Sequence, residues 1–155
     1  MIYTDTRDNS IKVDFKTAVI NGMNSKTGGL YIPLSFPKLD SKFLNRNSEP
    51  SFREIALEMA KPYVEGEIPA ADLQCIRQDA YPFPAKVNPI DKRSYVLELF
   101  HGPTLAFKDV GGRFMSRLLG YFIQKEGQKG NVNVLVATSG DTGSAVANGF
   151  LGVEG

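Results

Sequence analysis

The sequence contains no tryptophan, a single cysteine (Cys75) and a single histidine (His101). One cysteine excludes an intramolecular disulfide and fits a reducing compartment. One cysteine and one histidine cannot furnish a Cys/His zinc site, so no metal is expected within these residues. A surplus of one charge is also lacking, because 18 lysines and arginines face 17 aspartates and glutamates for a formal net charge of +1. That balance argues against nucleic acid as the main partner, since phosphate neutralisation needs an excess of basic side chains. No apolar run approaches the roughly 20 residues that a membrane-spanning helix requires. The opening residues, Met1 to Asp5, show neither the basic nor the apolar region of a secretory signal. What these absences leave is a cytoplasmic globular chain acting on small molecules. Its 155 residues, 42% of them hydrophobic, suffice to bury a core.

Two regions differ in texture. Residues 1–93 are mixed and hold every proline but Pro103, whereas residues 94–155 alternate short apolar runs with glycine-bearing turns. In the first region the pattern predicts a short helix over Asp14–Ile20, with Phe15, Ala18 and Val19 on one face and Asn21-Gly22 as its stop. Leu30-Tyr31-Ile32 reads as a short strand ended by Pro33. Ser51-Phe52-Arg53-Glu54 is a capping-box pattern. It opens an amphipathic helix through Tyr63, which Pro62 is expected to bend or end. Pro69 suits the first turn of a further helix that turns Leu73, Ile76 and Ala80 inward, with Cys75 packed in it. Residues 81–93, with three prolines, read as a linker.

The second region reads strand, loop, helix, strand, loop, helix. The strands are Ser94–Phe100 and Val132–Ala137, and the helices run from about Asp109 to Lys125 and over Ser144–Leu151. This order predicts an α/β domain with a parallel sheet. Two strands are too few for such a sheet, so the domain is expected to be cut short. In open parallel folds ligands gather at the carboxyl ends of strands, beside helix N-termini, which singles out loops 101–108 and 138–144.

Thr138-Ser139-Gly140-Asp141-Thr142-Gly143 offers three hydroxyls, flexible glycines and the free amides of a helix start. It suits a carboxylate or a phosphate, or it is an ordinary capped strand-to-helix turn. Asp141 opposes an anion. It fits better as an N-cap or beside a phenol or ring hydroxyl. Lys108 stands at a helix entrance with apolar neighbours, where the helix dipole and desolvation both favour a neutral, nucleophilic amine. The alternative for Lys108 is a surface lysine. Asp109 and Arg113, at i, i+4, are expected to pair, with anion binding by Arg113 the lesser reading. His101 is expected to hydrogen-bond the backbone of its loop, and acid–base work is its other reading.

The segment Leu99-Phe100-His101-Gly102-Pro103-Thr104-Leu105-Ala106-Phe107-Lys108-Asp109, followed by Gly111-Gly112-Arg113-Phe114, resembles the lysine segment of the threonine synthase family. Ala137-Thr138-Ser139-Gly140-Asp141-Thr142-Gly143-Ser144-Ala145 resembles the same family's second motif. Tyr3-Thr4-Asp5-Thr6-Arg7 and Gly28-Gly29-Leu30-Tyr31-Ile32-Pro33 resemble its N-terminal domain, so the likeness spans essentially the whole chain.

The resemblance implies a small mixed α+β domain over 1–93, followed over 94–155 by the start of a fold type II domain, the tryptophan-synthase β-like architecture. It implies pyridoxal 5'-phosphate as cofactor, held by Lys108 as the catalytic residue with Asp141 near its ring hydroxyl. Thr138, Ser139, Gly140 and Thr142 would grip the substrate carboxylate. The implied reaction converts O-phospho-L-homoserine and water to L-threonine and phosphate, the last step of threonine biosynthesis. Arg113 or His101 would help with the substrate phosphate. Two alternatives stand beside this: a related phospholyase that shares the lysine segment and eliminates phosphate without making threonine, and a non-catalytic module of the same fold. The family's glycine-rich phosphate loop and the hydroxyl partner of its pyridine nitrogen are not found among these residues. The expectation is an N-terminal portion, inactive alone.

Overall fold

The computed structural model describes residues 1–127 and 132–154. They form two compact units, Met1–Cys75 and Ile76–Gly155.

The first unit is built on β1 (Tyr3–Asp5), the middle strand between β2 (Lys12–Val13) and β3 (Tyr31–Pro33), antiparallel to both. The register sets Tyr3 against Val13 and Pro33, and Asp5 against Tyr31. β1 is buried along its length although two of its three residues are polar, because each polar group is satisfied. Asp5 Oδ1 accepts from the amides of Arg7 (2.6 Å) and Asp8 (3.1 Å), and Oδ2 accepts from the Thr27 hydroxyl (2.6 Å). These bonds, led by that from Thr27, hold the Asp5 carboxyl below the usual carboxylate range. Gly29 closes over it, since a Cβ there would lie 2.1 Å from Asp5 Oδ1.

Helix α1 (Phe15–Asn21) forms one residue on from the predicted span, with Asp14 as its cap and not its first residue. Asp14 accepts from the Thr17 amide at its start, and Gly22, at φ 62°, ends it in a conformation that glycine adopts freely. Glu67, distant in sequence, adds a second cap by accepting from the amides of Phe15 (2.9 Å) and Lys16 (2.8 Å). After the short α2 (Ser41–Leu44), α3 (Phe52–Val64) starts on the full capping box. Pro62 lies inside α3, two residues before its end, so it closes the helix without preventing its last turn. Tyr3 and Phe15 pack ring to ring (5.8 Å), and Val64, Ile68 and Leu73 complete the buried set.

Helix α4 (Ala70–Ala80) buries the predicted stripe of Leu73, Ile76 and Ala80, and the division between the units falls within it. Cys75 is off that stripe and exposed, contrary to its expected packing.

In the second unit, residues 81–93 are not a linker. Tyr81 is buried and stacks on Phe114 at 6.0 Å, and burial pushes its phenol up to about 12. β4 (Lys86–Pro89) pairs antiparallel with β5 (Tyr95–Glu98), across a turn in which Asp91 Oδ1 accepts from the amides of Arg93 and Ser94 (2.8 Å each). The proline-rich composition hid a strand whose exposed faces leave no alternation to read.

Helix α5 (Lys108–Glu126) turns Leu118 and Phe122 inward and ends on left-handed Gly127. Helix α6 (Asp141–Phe150) begins three residues before the predicted start. The expected strand over 132–137 is not formed. These residues pair with no strand among those described, and Leu135 is 94% exposed. A strand exists only through its neighbour's hydrogen bonds, so an apolar run without a neighbour stays unpaired. All pairing among the described residues is antiparallel.

Candidate functional site

Helices α5 and α6 pack closely along a seam of small residues. Gly112 faces Ala145 and Gly149, and a Cβ on Gly149 would lie 3.0 Å from the Gly112 carbonyl oxygen. Ser116, fully buried, donates to the Gly149 carbonyl (2.7 Å), and its oxygen accepts from Arg117 Nη1 (2.9 Å). Arg117 also donates directly to the Gly149 carbonyl. Further along, Gly120 meets Val153, and Gln124 donates to the Glu154 carbonyl at 3.3 Å. The contacts advance along both segments in the same sense, so the two helices run parallel. Their N-termini therefore share one end. Lys108 lies one turn before Gly112, and Asp141 one turn before Ala145, so both residues stand toward that shared end.

Lys108 is the first residue of α5, half-buried, with its ammonium 4.5 Å from the centroid of the Phe107 ring. It has no carboxylate partner among the described residues, unlike Lys61, which pairs with Glu58 at 2.7 Å. Its amine is thus available to a carbonyl group. The preceding loop is held at two points. Thr104 donates its amide to Asp109 Oδ2 (2.9 Å) and its hydroxyl to Oδ1 (2.7 Å). Asp109 therefore does not pair with Arg113.

Arg113 donates instead to the carbonyls of Ala80 (2.9 Å) and Asp79 (2.9 Å) and to Asn148 Oδ1 (3.0 Å). It caps α4, whose last carbonyls lack helical partners, and ties that end to α6. With those nitrogens engaged, it is a structural residue here and not a free anion-binding one. His101 corrects the expectation of a backbone bond. Its Nε2 lies 2.7 Å from Glu98 Oε2, and that bond, the leading cause, lowers the Glu98 pKa. An ionised carboxylate only accepts, so Nε2 carries the proton.

The second loop is open. Thr138, Ser139, Gly140 and Asp141 are exposed and Thr142 is half-buried. Asp141 is the first residue of α6 and not its N-cap. The cap is Gly140, at φ 153° and ψ −76°, a conformation essentially reserved to glycine. No side chain caps α6, so its first amides and positive dipole end face the loop's hydroxyls. The Thr138 hydroxyl accepts from the Gly140 amide at 3.2 Å. The structure thus brings the lysine and the hydroxyl loop to one end of a parallel helix pair. His101 is paired with Glu98, and Arg113 is engaged by the end of α4 and by Asn148. Asp109 and Thr104 belong to this neighbourhood too, and the i, i+4 reading of Asp109 obscured it.

These residues fit a cofactor carrying both an aldehyde and anionic groups. The amine lies beside an aromatic ring with no counter-ion, and an uncapped helix start rich in hydroxyls stands at the same end of the helix pair. The arrangement so defined, in a mixed α/β chain, is of the kind that suits a cofactor held on a lysine at a helix start.

The family model described as "Threonine synthase N terminus" matches residues 2–81, and the chain belongs to the threonine synthase family. It is 40% identical over 143 residues to threonine synthase of Haemophilus influenzae, covering 92% of this chain and 32% of that protein. It is 38% identical over 169 residues to the Saccharomyces cerevisiae threonine synthase, covering 97% of this chain and 33% of that protein. Among solved structures it superposes on the pyridoxal-phosphate-bound threonine synthase of Brucella melitensis with a TM-score of 0.90 at 36% identity, covering 99% of this chain and 34% of that one. With the Escherichia coli threonine synthase the TM-score is 0.85 at 35% identity, covering 99% and 35%. The chain spans about a third of the length of these relatives. The mixed α/β class holds on this likeness. Among the described residues no helix is long and apolar enough to cross a membrane, and no group of His, Cys, Asp and Glu is arranged to hold a metal.

Proposed function

We propose that this chain supplies the first part of a pyridoxal-phosphate-dependent lyase that converts O-phospho-L-homoserine and water to L-threonine and phosphate, in the cytoplasm. In this reading the first unit is the N-terminal domain and the second unit, which already holds residues 81–93 through the β4–β5 pair, begins the cofactor domain. The observation that carries it is the place of Lys108 and Asp141 at the starts of two parallel, closely packed helices, in a chain of the threonine synthase family.

When bound, pyridoxal 5'-phosphate supplies an electron sink for the carbanions that such eliminations generate. Lys108 would hold the cofactor covalently through Nζ, and the same atom would be the site that takes up and releases protons. The hydroxyls of Thr138, Ser139 and Thr142, with the amide of Gly140, hold the substrate carboxylate at the positive end of α6. Asp141 is assigned to the cofactor. The 155-residue chain by itself is expected to show no turnover.

The test is product analysis on the protein expressed at its full encoded length and supplied with O-phospho-L-homoserine. Threonine and phosphate in equal amounts are expected. Phosphate without threonine would assign the phospholyase reaction instead. Lys108→Ala is expected to abolish the visible absorbance of the bound cofactor, and its retention would sink the lysine assignment.

A further inference from the structure

We infer that Asp109 is a positioning residue for Lys108, acting through Thr104 and Gly102; the inference rests on the reading of Lys108 as the cofactor's anchor. Asp109 is fully buried, yet among the described residues it has no cationic partner, and Thr104 is the residue that bonds its carboxylate oxygens. Burying a carboxylate without a counter-ion is unfavourable, and the positive end of α5 offsets this only in part. What the carboxylate achieves is closure of a ring from Thr104 to Asp109 with Lys108 inside it.

Three features show how tightly that ring is drawn. Gly102 lies against Asp109 so closely that a Cβ would fall 2.4 Å from Oδ2. The Leu105 amide donates back to the Gly102 carbonyl at 3.1 Å. Leu105 is then forced to φ 57°, and it is the one non-glycine residue with positive φ among those described. Leucine has no intrinsic preference for that region, and its side chain is 76% exposed, so burial does not offset the strain. The turn thereby sets where α5 begins. The amides of Asp109 and Val110 bond the carbonyls of Ala106 (3.1 Å) and Phe107 (3.2 Å), so the helix starts in fixed phase with Lys108 at its first position. Small displacements of a reacting group are felt strongly in covalent chemistry, which gives such a ring its purpose.

The experiment uses the protein at its full encoded length, with pyridoxal 5'-phosphate as probe, borohydride reduction, and peptide mapping of the trapped lysine. Asp109→Ala opens the ring and is expected to weaken cofactor affinity roughly tenfold or more, with trapping redistributed from Lys108 to other lysines. Asp109→Asn is expected to restore both, because its Oδ1 accepts from the Thr104 amide while its Nδ2 donates to the Thr104 hydroxyl. Gly102→Ala, which pushes on the carboxylate without removing it, is expected to behave like Asp109→Ala. Thr104→Val keeps the buried volume and one of the two bonds, and gives an intermediate result even if Asp109→Ala does not fold.

A purely structural role would lower the folded fraction and leave the lysine distribution of the folded protein unchanged. That result, or unaltered affinity in folded Thr104→Val and Gly102→Ala proteins, overturns the inference. A parent protein trapped only at lysines other than Lys108 would instead overturn the underlying assignment of Lys108.

Discussion

The α5–α6 seam brings Lys108 and Asp141 to one end of the helix pair, and two glycine substitutions measure how closely it must be packed. Gly111 and Gly149 both lie within helices, but a Cβ at Gly111 meets nothing within 4 Å, whereas one at Gly149 meets the Gly112 carbonyl oxygen at 3.0 Å and its carbon at 3.2 Å. Alanine in place of an exposed helical glycine stabilises by up to about 1 kcal/mol. Gly111→Ala should show that gain.

Gly149→Ala shares it at most, and adds an overpacking term of about 1–3 kcal/mol, because the obstructing atoms are backbone and the helices must part. The helical contribution cancels to first order, so Gly149→Ala should be less stable than Gly111→Ala by about 1–3 kcal/mol. With a urea slope of about 2 kcal/mol per molar, that difference separates the midpoints by roughly 1 M. Urea unfolding followed by far-UV circular dichroism reads it directly, provided the slopes agree. A Gly149→Ala protein as stable as Gly111→Ala would refute the close parallel packing, and with it the shared end of the two N-termini.

Two further outcomes come from the caps and clamps. The Ser51 amide, the Ser51 hydroxyl and Arg46 hold the Glu54 carboxyl at about 2, against 4.5 ordinarily. A depressed carboxyl stabilises the fold fully above its unfolded pKa, so this contribution is present above about pH 4.5 and fades as pH falls toward 2. Ser51→Ala should cost about 1 kcal/mol at neutral pH, typical of a lost N-cap, and acid titration of stability should show its deficit narrowing between those values; a deficit independent of pH would contradict the assignment. Arg113 engages three acceptors from two helices, so Arg113→Lys should lose most of what Arg113→Ala loses, about 1–3 kcal/mol by denaturant unfolding. Full retention of stability in the lysine variant would show that charge alone suffices there.

Local signals were legible wherever a single stretch of chain settles its own hydrogen bonds. Gly22 ends α1, Ser51 and Glu54 open α3, and the Leu73, Ile76 and Ala80 stripe faces inward, all as the residues imply. β1 and β2 went unread because three and two residues, largely polar, carry no periodicity. The Asp109–Arg113 spacing misled because helical proximity competes with better partners. The loop amide of Thr104 and the orphan carbonyls of α4 outbid the i, i+4 pairing, which on a helix surface is worth only about a few tenths of a kcal/mol. His101 turned to Glu98 for the same reason, a charged acceptor being stronger than a carbonyl.

The residues alone determined the caps, the helical stripes and the two motifs that resemble those of the family, because those depend on neighbours close in sequence. Tertiary structure decided which distant groups meet. Parallel packing along Gly112, Ser116 and Gly149 brought Lys108 and Asp141 to one end of the helix pair, and the fully buried Asp109 turned to Thr104 instead of Arg113. The same dependence governs residues 132–137, whose apolar pattern favours a strand that no partner among the described residues completes. The physical reason is common to all three: a side chain or a backbone edge is satisfied by whichever partner the fold brings within hydrogen-bond reach, and spacing along the chain does not record that choice.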